Sequence, residues 1–240
     1  MRGWLWAVVA LVGCGRRNFD GIRDADPGER DATDSAAVCM STFCDDFDRP
    51  PPAGTGWDLT NTSANGTVVI TSMGTLLVTL PASGDGAFLV KNLPAVTSSV
   101  RVAFRIKYTS SAPGIAEVDL VQLRWTTPAA GCTSQGFYLV RDSTGPFDLQ
   151  ETYAGCGANV NTALVDLANN GFHSVAMTIT IGALGTAHIQ GAIDAAISFD
   201  VMAAHPIPSS TMQLSLGGGA VRDVTTVFSI EYDDLSIQVQ

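Results

Sequence analysis

From Thr67 to its carboxyl end the chain returns again and again to a two-residue hydrophobic period, and that period constrains its fold more than any other feature. In Val100–Tyr108 the even positions are apolar while Arg101, Arg105 and Lys107 point the other way. His173–Ile181 repeats the pattern, with Val175, Met177, Ile179 and Ile181 on one face. Shorter runs at Thr67–Ile70, Thr75–Leu80, Glu117–Trp125, Ala187–Ile193 and Met212–Leu216 are set apart by turn formers such as Ser83-Gly84-Asp85-Gly86. Strands half-buried on one face must pack against a second sheet, so the fold expected is all-β, a two-sheet antiparallel sandwich. Outside the first dozen residues no stretch keeps a long helical period; 161–168 has room for a turn or two of helix.

The last run slips phase. Phe228, Ile230 and Tyr232 alternate on even positions, whereas Leu235, Ile237 and Val239 continue on odd ones. If both halves face one core, a β-bulge sits at Asp233-Asp234.

The amino-terminal segment is of another kind. Met1 and Arg2 precede the apolar run Trp4–Val12, which fits the middle of a secretory signal and is shorter than the roughly 20 residues a membrane-spanning helix needs. It closes on Leu11-Val12-Gly13-Cys14, which resembles the lipobox of bacterial lipoproteins. The resemblance implies a signal peptide over 1–13, lipid on the Cys14 thiol, and an anchor at the bacterial cell envelope. Gly15 after the cysteine favours the outer membrane. Residues 14–38 are then a flexible linker, because a segment rich in Asp, Arg, Gly and Ala buries too little apolar surface to offset its ordering entropy. One domain, 39–240, follows.

Export makes the cysteines informative. Of the 5 in the chain, Cys39, Cys44, Cys132 and Cys156 remain once Cys14 is acylated, and in an oxidising compartment they suggest two disulfides with three connectivities. Cys132 and Cys156 are symmetric about Thr144, the middle of a hairpin expected between Phe137–Arg141 and Phe147–Tyr153, so they face one another across its strands. Cys39 with Cys44 is the local pair that this leaves. The charge is acidic, 23 Asp and Glu against 13 Lys and Arg for a net −10. Such a chain repels phosphate backbones, so nucleic acid is not an expected partner.

Three motifs in order carry a further resemblance: Phe43-Cys44-Asp45-Asp46-Phe47-Asp48 at the opening, Gly171-Phe172-His173-Ser174-Val175-Ala176-Met177 leading into a hairpin, and Ile230-Glu231-Tyr232-Asp233-Asp234-Leu235-Ser236-Ile237 at the close. Together they resemble the concanavalin A-like lectin and glucanase superfamily, laminin-G-like domains in particular, over most of 39–240. The resemblance implies a jelly-roll sandwich that binds glycans or proteins, or hydrolyses glycans.

It also implies sites. First and last strands that meet in such folds hold a structural calcium, for which Asp46 and Asp233 are the matching positions and Asp45 and Asp234 the alternates. Glu117-Val118-Asp119-Leu120-Val121-Gln122 resembles the Glu-x-Asp-x-x-Glu strand of laminarinase-type glycosidases. There Glu117 is the nucleophile position and Asp119 the helper, while Gln122 holds the place of the general acid without a proton to give. A strand bulged at Val121 puts all three on one face. Trp125, Tyr138 and Tyr153, on neighbouring strands, are candidates for stacking on sugar rings.

The reading that follows is a lipid-anchored extracytoplasmic binding or structural module, carbohydrate-binding and non-catalytic, whose partners are the membrane through Cys14 and a glycan or cell-surface protein. The alternatives are a glycan hydrolase of laminarinase type and a protein-adhesion module.

Overall fold

The computed structural model describes residues 41–240 except 64, 82–83, 111–116, 129, 143–146, 166–170, 196 and 223–226. All of them lie in the unit Cys39–Gln240. Cys14 and Cys39, with the segments expected to be leader and linker, fall outside the described residues.

Fifteen strands are described, and they form two antiparallel sheets. In chain order they are β1 (Phe43–Asp45), β2 (Leu59–Thr62), β3 (Thr67–Ile70), β4 (Leu76–Leu80), β5 (Gly86–Ala95), β6 (Ser99–Ser110), β7 (Glu117–Trp125) and β8 (Ser134–Asp142). There follow β9 (Phe147–Ala154), β10 (Val160–Val165), β11 (His173–Ile181), β12 (Ala187–Ile193), β13 (Ile197–Met202), β14 (Thr211–Arg222) and β15 (Phe228–Val239). One sheet runs β13-β12-β11-β6-β15-β4-β3 with β1 also on β15; the other runs β10-β9-β8-β7-β14-β5-β2. This is the two-sheet antiparallel sandwich that the alternation required, and the jelly roll that the resemblance implied.

The core lies between the sheets and draws on the phase read from sequence. Val100, Val102, Phe104, Ile106 and Tyr108 of β6 are buried, and Leu76, Val78 and Leu80 of β4, on the far side of β15 in the same sheet, belong to the same core. Full burial of one such Leu or Val stabilises by roughly 1.5–3 kcal/mol. The described part of the segment with room for helix, 161–165, is instead in the edge strand β10, which pairs along β9 through Asn161↔Gln150 and Thr162↔Leu149. Its backbone groups complete a ladder that would otherwise end at β9, and this outweighs a marginal helical preference.

The phase slip in β15 is a bulge. Asp233 pairs with Arg105 and Ser236 with Ala103, so Asp234 and Leu235 together stand opposite Phe104. Asp234 takes a left-handed backbone, φ 51°, and Arg105 donates to Asp233 at 3.2 Å and Asp234 at 3.5 Å on the solvent side. The β8–β9 hairpin brings Ser134 opposite Ala154, and just beyond it Cys132 and Cys156 form a disulfide with their Cα atoms 4.6 Å apart. Cys44 is disulfide-bonded as well.

Candidate active site

Strand β7 decides what the second sheet presents to solvent. Asp119 pairs with Val140 of β8 and Val121 with Leu139, leaving Leu120 as an extra residue. On its other side β14 is irregular at the same level, its pairing passing from Leu216↔Val121 to Gly219↔Asp119. Leu120 and Val121 are therefore both buried, and Asp119 and Gln122, three apart, emerge on the same outer face. Gln122 Nε2 donates to Asp119 Oδ2 at 2.9 Å. The bulge lies one residue before the position expected from sequence.

Strand register lays residues, most of them polar, in rows across this face. One row runs Val90, Ser215, Gln122, Tyr138, Gln150, Asn161 over six adjacent strands. The next runs Asn92, Gln213, Arg124, Gly136, Thr152. Gly136 is the gap in it. A Cβ there would stand 2.6 Å from the Leu123 carbonyl oxygen, 2.9 Å from Cε1 of Tyr138 and 3.2 Å from Cγ of Arg124. The glycine thus lets the Tyr138 ring and the arginine stem close over the strand. Asp119 lies in the third row, between Gly219 and Val140.

The result is a cluster of Asp119, Gln122, Arg124 and Tyr138. Burial raises the Tyr138 phenol above the ordinary tyrosine value; the positive charge of Arg124 works against the rise and the negative charge of Asp119 adds to it. Tyr138 therefore keeps its proton at neutral pH. Among the described residues none of the ion pairs takes up Arg124, which is exposed. Its guanidinium can donate to a carboxylate in a bidentate pair.

The other expected site residues fall elsewhere. The backbone of Glu117 pairs with Asp142 and Arg222 at the start of β7, but its side chain lies outside the described residues. Trp125 and Tyr153 are 3% and 1% exposed, which corrects the expectation that they stack on a ligand. Trp125 packs edge-on to Phe137 at 5.5 Å, and the Tyr153 hydroxyl bonds the buried Glu151 carboxylate. Both share the phase of buried neighbours, Leu123 for Trp125 and Leu149 for Tyr153. The same phase, carried outward, marks Arg124, Gln150 and Gln213, which the sequence reading did not single out.

Strands β1 and β15 do lie side by side, Asp45 opposite Leu235. Asp46 is exposed and accepts the Asp48 N–H at 3.2 Å, while Asp233 is paired with Arg105. A calcium ion between them would have to displace that arginine. Asp45 is committed too, accepting Trp57 Nε1 at 2.6 Å. Among the described residues no group of three His, Cys, Asp or Glu is placed to hold a metal.

No protein-family model and no curated protein sequence matches the chain. Solved structures do match in fold. An endo-β-1,4-glucuronan lyase from the fungus Trichoderma reesei superposes with a TM-score of 0.65 at 14% identity, over 84% of this chain and 96% of the other. The alginate lyase Aly36B gives 0.58 at 12%, over 83% and 98%. The family 7 alginate lyase A1-II′ gives 0.54 at 12%, over 75% and 85%. At this level of identity the likenesses show a shared fold, a jelly-roll sandwich. The expectation of a non-catalytic binding module is corrected by these likenesses, because the structures that the domain resembles over almost their full length are themselves polysaccharide lyases.

Proposed function

We propose that the domain is a glycan-degrading enzyme, a polysaccharide lyase that cuts a uronate-bearing chain on the outer face of the second sheet. The observation that carries the reading is the placement of Arg124, Tyr138, Gln122 and Asp119 on one face around the β7 bulge. β-Elimination at a uronic acid needs three things: charge neutralisation at the carboxylate, a base for the C5 proton and a donor for the leaving oxygen. Arg124 holds the carboxylate and stabilises the negative charge that grows on it. Asp119 takes the C5 proton, held in place by Gln122. The electron pair of the C5–H bond forms the C4–C5 double bond as the C4–O bond breaks, and the leaving oxygen takes the proton of Tyr138. Proton return from Asp119 to Tyr138 completes the cycle.

The glycosidase-like pattern supports no such assignment for hydrolysis, since Gln122 spends its amide on Asp119 and has no proton to donate. Outside the described residues, the Leu11-Val12-Gly13-Cys14 run supports acylation at Cys14 and placement at the bacterial envelope, with the glycan as extracytoplasmic substrate.

Incubation with glucuronan and with alginate tests the reading. Expected are oligosaccharides whose new double bond, conjugated to the carboxylate, absorbs in the ultraviolet, and their loss in Arg124→Ala. New reducing ends without that absorbance would mean hydrolysis, and the elimination assignment would fall.

A further inference from the structure

We propose that Tyr232 is a positioning residue for the site on the opposite sheet: its hydroxyl, reaching across the core to Leu120 and Gly217, holds the paired irregularities that turn Asp119 and Gln122 onto one face with Arg124 and Tyr138. The inference rests on the proposed function for its catalytic meaning, but its geometry stands independently.

Tyr232 belongs to β15, in the first sheet, and is fully buried. Its Oη lies 2.6 Å from the Leu120 carbonyl oxygen and 2.5 Å from that of Gly217. Those two carbonyls fall where the ladder between β7 and β14 is broken, between Asp119↔Gly219 and Val121↔Leu216. A carbonyl released from a ladder inside a core must find another donor. The tyrosine supplies one, its single O–H proton shared between the two acceptors. Gly217 suits the arrangement, with φ 149° and its Cα so near the Ala87 carbonyl that any side chain would run into it. The next residues of β15, Asp233 and Asp234, form that strand's own bulge, pinned outside by Arg105. An irregularity in each sheet is thereby joined through one side chain.

Without the hydroxyl, the extra residue at Leu120 has nothing to hold its carbonyl inward, and a regular β7 would send Asp119 and Gln122 to opposite faces. Tyr232 touches neither substrate nor the reacting groups, so its effect is on placement alone.

The test uses the full chain. Tyr232→Phe is compared with Ile237→Val, a buried position in the same strand beyond the bulge. Read out are kcat and KM on the polyuronate cleaved by the wild type, the ionisation midpoint of Tyr138 followed by NMR of ring-labelled tyrosine, and the side-chain amide signal of Gln122. Expected in Tyr232→Phe are a fall in kcat of about 100-fold, the scale of an ångström's misplacement, and a KM within about threefold of wild type. The Tyr138 midpoint should drop only slightly as the Asp119 charge moves away, since burial is the main cause of its rise, and the Gln122 amide should shift. Tyr232→4-aminophenylalanine, which keeps a donor at the ring tip, should restore kcat to within about tenfold. If Tyr232→Phe behaves like Ile237→Val, less stable but with Tyr138, Gln122 and kcat unmoved, Tyr232 is packing alone and the proposal is overturned. Should the wild type cleave no polyuronate, the elimination reading fails, while the Tyr138 and Gln122 signals still decide this one. Should Tyr232→Phe not fold, the wild-type hydroxyl decides: a Tyr232 O–H proton exchanging as slowly as core amides supports the inference, and rapid exchange overturns it.

Discussion

The Tyr232 hydroxyl and the Leu120 carbonyl, 2.6 Å apart, join the two sheets at the level where the outer face gathers its polar side chains. The bond crosses an apolar interior and ends on the residue that breaks the β7 ladder. Its removal in Tyr232→Phe leaves buried carbonyls without their donor, which should cost about 1–3 kcal/mol. Denaturant unfolding should show a lower midpoint at an unchanged slope, since the surface exposed on unfolding stays the same.

High pH should also unfold the domain. Burial raises the phenols of Tyr138, Tyr153 and Tyr232 above the ordinary tyrosine value, with the Glu151 carboxylate adding to the rise at Tyr153. A group that holds its proton more tightly when folded contributes stability that is complete below the unfolded value of about 10 and is lost as pH climbs through the folded one. Stability should therefore be insensitive to these tyrosines at neutral pH and decline above about pH 10. Unfolding curves at successive alkaline pH values, with tyrosinate absorbance followed in parallel, would show the two events together.

The architecture was legible in the sequence because burial of one face writes a two-residue period into every long strand, and β6, β11 and β15 carry it without a break except at Asp233-Asp234, where the break itself was the bulge. The site was half legible. Gln122 and Asp119 stand three apart, so only a bulge brings them to one face, and the consecutive apolar residues Leu120 and Val121 mark where it falls. What no local pattern tells is which strands become neighbours. Tyr138 beside Gln122 and Gln213 beside Arg124 follow from register between segments distant in sequence. Composition misled at Trp125 and Tyr153, aromatic side chains whose phase belongs to the core.

The Cys132–Cys156 disulfide closes a loop with a sequence separation of 24 around the β8–β9 hairpin. Replacing both cysteines by serine should lower stability by about 3 kcal/mol, chiefly through the freer unfolded chain. Activity at room temperature should persist, because Tyr138 stands well inside β8, between flanking strands that keep their ladders. Unfolding midpoints of the oxidised wild type and the double variant provide the check.

Acylation at Cys14 would give the domain an address. Cys14→Ser should move the protein from the membrane fraction to the soluble one, since the hydrocarbon chains supply the anchoring free energy. Fractionation, with mass spectrometry of the amino-terminal peptide, reads this out; a wild-type thiol without lipid would remove the anchor.

Gln122→Glu separates elimination from hydrolysis. If the strand were a glycosidase motif lacking only its acid, the substitution would supply the missing proton donor and activity on β-linked glucans should appear. The structure argues for the opposite result. Gln122 donates to Asp119 at 2.9 Å, so a glutamate there sets two carboxylates face to face and turns a hydrogen bond into a repulsion. Like charges so close cannot both ionise freely, and one of them must titrate upward. If it is Asp119, the base for the C5 proton is protonated at neutral pH and elimination stops; if it is the new glutamate, Asp119 keeps its charge but shares a proton with its neighbour and loses basicity. Either way lyase activity at neutral pH should fall by about 100-fold, as for loss of a general base. Part of it should return as the pH rises and the shared proton leaves, giving a rate profile whose acid limb is displaced upward from that of the wild type. The pH dependence of ultraviolet-absorbing product formation, measured beside reducing-end release from a neutral glucan, decides: recovered glucan hydrolysis in Gln122→Glu would mean that Asp119 serves a glycosidase after all.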